Sequence, residues 1–84
     1  MNKRHQKTLE AIFTTPAPSS LEWKRIEALF VALGATVIEG SGSRVRFMLN
    51  DVVAIFHQPH PQKEAAAYQV RDVQRFLKQA GVKP

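Results

Sequence analysis

The sequence predicts an α+β domain with the element order α-β-β-β-α and a short extra helix at the N-terminus. Three observations support this prediction. Apolar residues recur at helical spacing on both sides of the sequence centre. Between them, residues 43–49 and 52–57 alternate in the way that half-buried strands do. The dipeptide Asn50-Asp51 interrupts the alternation and favours a two-residue turn, because both residue types tolerate positive φ.

Composition limits the classes of function. The chain has 84 residues, a length typical of one domain, and a net charge of +5. This charge favours a polyanion or an acidic protein as partner, although mild basicity is also common in small soluble domains. The absence of cysteine excludes disulfides, thiolate nucleophiles and cysteine-based zinc sites. With no secretory signal and no apolar run near the roughly 18 residues of a membrane span, a cytoplasmic protein without membrane contact is expected.

Residues 1–19 are expected to form a basic helical arm and a proline-containing connector, and residues 20–84 the main domain. Leu9, Ile12 and Phe13 have helical spacing and should dock on the rest of the protein. The basic residues of the arm could contact nucleic acid, but a solvated arm is favoured. They are Lys3, Arg4 and Lys7.

A first helix of the main domain is predicted between Ser19 and Gly34. Ser19 and Glu22 have the spacing of a capping box, and Gly34 is a natural C-terminal stop. One apolar stripe is expected to face the core: Ile26, Leu29, Phe30 and Leu33. The β-branched residues that follow, at positions 35–39, predict the first strand.

A two-residue turn at Asn50-Asp51 determines the register of the next two strands. Three cross-strand pairs then face the core: Val45 with Phe56, Phe47 with Ala54, and Leu49 with Val52. Three others form what we name the outer face: Arg44 with His57, Arg46 with Ile55, and Met48 with Val53. The outer face is half apolar and half basic, which favours a contact surface for a partner protein or for a second copy in a homodimer.

The last helix is predicted from residue 64 to residue 80, ending at Gly81 with Val82 folded back on it. Its apolar side should comprise Ala66, Val70, Val73, Leu77 and Ala80. Three basic residues form a separate line that we name the basic stripe: Arg71, Arg75 and Lys78. The basic stripe is either a solvated face or a phosphate-binding surface, and its charge pattern favours neither.

Several ordered pieces of the sequence resemble the HicA family of toxin–antitoxin toxins. They are the ALGATV segment after the first long helix, the Gly42-Ser43 pair, the Pro59-His60 segment with Lys63-Glu64 after it, and the closing VRDVQRFLKQAGV. The resemblance covers roughly residues 21–82. It implies the double-stranded RNA-binding fold, a ribosome-independent messenger-RNA endoribonuclease (an mRNA interferase), no cofactor, and a HicB-type antitoxin as partner.

The sequence departs from the family at the position that matters most for catalysis. Family members usually carry a catalytic histidine directly after the glycine-serine pair, where this chain has Arg44. Arginine stays protonated at any working pH, so Arg44 can bind a phosphate but cannot act as the base. The candidate bases are then His57 and His60, whereas His5 lies in the arm and is left out. His57-x-x-His60 lacks the acidic or cysteine companions of a metal site, so no metal is expected.

Three hypotheses follow from these residues. In the first, the chain binds RNA and cleaves it weakly or through a shifted site. The expected RNA-binding residues are Arg44, Arg46, Lys63, Arg71, Arg75 and Lys78. In the second, the chain binds RNA or an antitoxin without catalysis. In the third, it is an interaction module whose outer face forms a dimer.

Overall fold

A computed structural model gives the fold and describes residues 1–40, 42–59 and 62–84. The elements follow the predicted order and comprise α1 (Lys3–Ile12), α2 (Trp23–Ala32), β1 (Thr36–Glu39), β2 (Arg44–Leu49), β3 (Val52–His57) and α3 (Ala67–Gln79). The α+β class and the α-β-β-β-α order after α1 are therefore confirmed. Within the described ranges, no helix combines the length and the hydropathy that crossing a membrane requires.

The register of the β2–β3 hairpin is confirmed. The sheet is antiparallel with the strand order β1-β2-β3, and all six predicted pairs of β2 and β3 are observed. Asn50 and Asp51 have φ values of 50° and 67°, which is the left-handed conformation that a tight two-residue hairpin turn requires.

The inner face of the sheet packs on aromatic residues from the helices. Phe47 and Phe56 are buried on this face, and Phe30 of α2 lies between them and α3. The Phe30 ring centroid is 4.8 Å from that of Phe47 and 5.3 Å from that of Phe76, both in edge-to-face geometry. These contacts fix both helices on the same side of the sheet and leave the other side open.

The predicted start of α2 is wrong. The helix begins at Trp23 rather than near Ser19, and its N-cap, Glu22, makes no side-chain capping bond. The reason is a long-range backbone contact. The amide of Trp23 donates to the carbonyl of Lys63 over 2.9 Å, and Ala65 donates to Leu21 over 2.8 Å. Leu21 and Glu22 are therefore extended alongside residues 63–65 and cannot join the helix.

The predicted start of α3 is also too early. Ala66, which was expected on the apolar side, is the exposed N-cap, and Phe76 is buried instead. The C-terminal end is as expected, because Gly81 has a φ of 83° and the amide of Val82 donates to the carbonyl of Leu77 over 2.8 Å.

Helix α1 packs into the common core. Leu9 and Ile12 are buried, and Phe13 is partly buried against the same cluster. The Thr8 hydroxyl is also buried; it donates to the carbonyl of Arg4 and accepts from the Arg25 guanidinium over 3.1 Å. Apolar burial and this polar contact together hold α1 against α2.

We predict that Asp51→Ala lowers the free energy of unfolding by about 1 kcal/mol, because a side chain without local hydrogen-bonding capacity is strained at positive φ. Asp51→Gly should leave stability equal or higher, since glycine adopts this conformation freely. Urea unfolding of both variants checks the prediction. Equal losses for alanine and glycine would mean that the carboxylate, not the backbone conformation, matters at this position.

Candidate functional site

The predicted pair of Arg44 and His57 is observed. They are cross-strand partners at the end of the hairpin far from the turn, and both side chains are exposed on the outer face. Directly opposed residues of antiparallel strands have Cβ atoms about 4.5–5.5 Å apart. A guanidinium and an imidazole can therefore reach the same small group, such as one phosphodiester.

The rest of the outer face is apolar and open. Val53 is 52% exposed and Ile55 is 55% exposed, beside the exposed Arg46. Ile38 of β1 pairs with Arg46 and extends the apolar area. This contribution of β1 could not be derived from the sequence, because nothing in it fixed how β1 pairs with β2. A homodimer through the outer face stays a prediction.

The side chain of Gln69 binds the backbone of His57, a contact that the sequence analysis did not predict. Its side chain is buried; its amide nitrogen donates to the carbonyl of His57 over 2.8 Å, and its oxygen accepts from the amide of Ala66 over 2.9 Å. The contact ties the end of β3 to the start of α3. Hydrophobic periodicity did not indicate this role, because a polar glutamine in a helical pattern is interpreted as a solvent-exposed residue.

The segment that follows β3, residues 58–63, is anchored at both ends; we name it the exit loop. At one end the Gln58 amide donates to the carbonyl of Ser43 over 2.8 Å. At the other end the carbonyl of Lys63 accepts from the start of α2. His60, the second candidate base, falls outside the described residues.

Two neighbouring surface cavities lie along α2, and Arg44 lines one of them. The Arg44 cavity, of about 380 Å³, lies between α2 and the loop that joins β1 to β2. The Trp23 cavity, of about 360 Å³, lies between the start of α2 and the exit loop and includes Lys63. Glu27 and Gln58 line both cavities, and the Gln58 side chain donates to the Glu27 carboxylate over 3.1 Å. The two cavities therefore lie side by side, and their linings include two of the predicted RNA-binding residues, Arg44 and Lys63.

The basic stripe lies on the exposed surface of α3. Arg75 also lines a small cavity with Ile55 of β3. The Arg75 guanidinium is 3.4 Å from the Asp72 carboxylate, and Lys78 Nζ is 6.0 Å from the centroid of the Phe13 ring. Among the described residues, none of the cavities lined by Arg44 includes a residue of the basic stripe, and the role of the stripe stays a prediction.

With this geometry described, the chain can be compared with known proteins. The model of a family described as HicA toxin of bacterial toxin-antitoxin matches residues 23–82, from the start of α2 to just past α3. The chain belongs to the HicA toxin family. This HicA-family protein is thus the toxin of a toxin–antitoxin system, which implies an antitoxin as its partner. Comparison with curated proteins and comparison with solved structures each gave no significant match.

We predict that Gln69→Leu lowers the free energy of unfolding of this HicA-family toxin by about 2 kcal/mol. The substitution removes the side-chain amide of Gln69. It leaves the His57 carbonyl without its donor and the Ala66 amide without its acceptor. Urea unfolding is the measurement. Gln79→Leu, at an exposed glutamine of the same helix, is the matched control and should change stability little. Equal effects of the two variants would contradict a supporting role for Gln69.

Proposed function

We propose that this toxin binds messenger RNA and cleaves it without a metal ion, with Arg44 and His57 at the centre of the site. The observation that carries the proposal is their cross-strand pairing on an exposed face, in a chain of the HicA family. Together they supply a group that can accept a proton near neutral pH and a fixed cation for the phosphate.

The proposed reaction is internal transesterification of RNA. His57 accepts the proton of a ribose 2′-hydroxyl, and the 2′-oxygen forms a bond to the neighbouring phosphorus. The bond from phosphorus to the 5′-oxygen breaks, and that oxygen leaves with a proton from an acid, for which His60 is the candidate. Arg44 binds the non-bridging oxygens and stabilises the charge that develops on them. The products are a 2′,3′-cyclic phosphate and a free 5′-hydroxyl.

Other basic residues would hold the RNA on either side of this centre. Arg46 lies two residues from Arg44 on the outer face, and Lys63 lines the adjoining Trp23 cavity. The basic stripe would act as a separate phosphate-binding surface for longer RNA. Contacts of this kind weaken steeply with salt, unlike an apolar dimer interface, so the salt dependence of binding distinguishes the two uses of the outer face.

A second candidate function is binding without cleavage. It is favoured by Arg44 itself, because the resemblance to the family places a catalytic histidine there and a guanidinium cannot accept a proton. In this case the chain binds RNA or its antitoxin, which the family resemblance suggests is of the HicB type, on a scaffold that has lost its base.

We predict that the purified protein cleaves a long single-stranded RNA in EDTA and that His57→Ala lowers the rate at least about 100-fold, the usual contribution of a general base. Arg44→Ala should also lower the rate, through loss of phosphate binding. The assay is gel separation of products with detection of cyclic phosphate ends. Gln79→Ala, at an exposed residue of α3, is the control, and its rate should equal that of the wild type. Activity retained in His57→Ala but lost in His60→Ala would move the base to His60.

We predict that Arg44→His distinguishes the two candidate functions. If His57 already serves as the base, the substitution removes a phosphate ligand and should not raise the rate above that of the wild type. A gain of cleavage by Arg44→His over an inactive wild type would establish the second function instead. The same RNA assay in EDTA measures both outcomes.

A further inference from the structure

One surface cavity away from the Arg44–His57 pair has an excess of positive charge. The Arg25 cavity, of about 370 Å³, lies between α1 and α2. Arg4, Lys24 and Arg25 line it, against a single carboxylate from Glu22. By contrast, the described charged residues that line the Arg44 cavity, the Trp23 cavity and a smaller cavity beside β3 balance in sign.

These positive charges are not neutralised within the described part of the chain. No ion pair found there involves Arg4, Lys24 or Arg25. The Arg25 guanidinium donates to the Thr8 hydroxyl, but its Nε is buried and has no acceptor. A guanidinium beside two further cations favours an anion with several acceptor oxygens, and phosphate is the anion that arginine matches best.

The helix ends add to the same potential. Residues Asn2 and Arg4 belong to the start of α1, and Glu22 and Lys24 to the start of α2, and all of them line the Arg25 cavity. Both helices therefore begin there, and the N-terminal end of a helix carries partial positive charge and free amides. The Glu22 side chain makes no capping bond. Part of the first-turn amides is already used, because His5 donates to the Asn2 side chain and Trp23 to the carbonyl of Lys63.

The Arg25 cavity also neighbours the cavities near the proposed RNA site. Glu22 and Lys24 line both the Arg25 cavity and the Trp23 cavity. The Trp23 cavity in turn shares lining residues with the Arg44 cavity. The three cavities therefore follow one another along α2, from Arg44 to Arg4.

We propose that the Arg25 cavity binds a phosphate group of the RNA strand whose neighbouring nucleotides reach Arg44. The inference rests on the proposed function in taking RNA as the ligand. Arg4 and Arg25 offer planar donor groups to the phosphate oxygens, and Lys24 adds a point charge. Arg4 precedes the segment matched by the family model, so the N-terminal helix of this chain supplies one of the three cations and α2 the other two.

The test measures binding apart from cleavage. A short single-stranded RNA with 2′-O-methyl groups cannot be cleaved by the proposed reaction, and fluorescence anisotropy of its labelled end gives Kd over a range of salt concentrations. The test protein is the full chain with Arg4→Ala and Lys24→Ala. The matched control carries Lys3→Ala and Lys7→Ala, which remove the same charge from exposed positions of α1 outside the cavity.

The test variant should raise Kd about fivefold at low salt and reduce the slope of log K against log salt by about 0.7, the value for one phosphate of a single strand. The control should change both quantities much less. Equal effects of the two variants would overturn the proposal, because they would indicate a general effect of net charge. Thermal unfolding of both proteins confirms that they are folded.

Inorganic phosphate is the second arm of the experiment. If it shifts the amide NMR signals of Arg4, Lys24 and Arg25 while the test variant binds RNA as well as the wild type, the cavity takes free phosphate and the RNA proposal is overturned. A wild type that binds no RNA at all would instead refute the proposed function. A wild type that binds RNA, with test variant and control indistinguishable from it, would refute this inference alone.

Discussion

The two-residue turn at Asn50 and Asp51 is the constraint on which the rest of the structure depends. Because side chains alternate along a strand, a register shifted by one residue would place Arg44 and His57 on opposite faces of the sheet and expose either Phe47 or Phe56. The turn also anchors the hairpin, since the Asn50 side chain donates to the carbonyl of Ala80 over 2.7 Å at the end of α3. One local conformation thus separates a buried aromatic face from an exposed basic one.

The parts of the fold that were predictable depend on local information. The register of β2 and β3 followed from two turn residues and an alternating pattern, and the end of α3 followed from Gly81. The start of α2 did not follow from the sequence, because residues 21–23 pair with residues 63–65, some forty positions away. A capping-box spacing cannot report whether a distant strand-like segment competes for the same backbone groups.

The candidate site also contains some features that the sequence predicts and others that it does not. The pairing of Arg44 with His57 is a consequence of register and could be written down from the sequence. The support from Gln69 and the cavity at Arg25 could not, because both arise where helices meet. Nothing in the sequence distinguishes Arg25 from the other basic residues. The structure shows that it contacts Thr8 and lies near the starts of α1 and α2. The spacing of the basic stripe placed its three residues on exposed positions of α3, as observed. Helical periodicity does not show whether these residues and Arg44 lie on the same surface of the protein.

The buried positions of Leu9 and Ile12 affect how the boundaries of this domain are drawn. Both residues fill the common core, yet both lie before the segment that defines the family. Removing an apolar side chain of this size from a core costs about 2–5 kcal/mol, a large share of the stability of a small domain. The common core therefore extends beyond the segment matched by the family model, and the first helix contributes part of it.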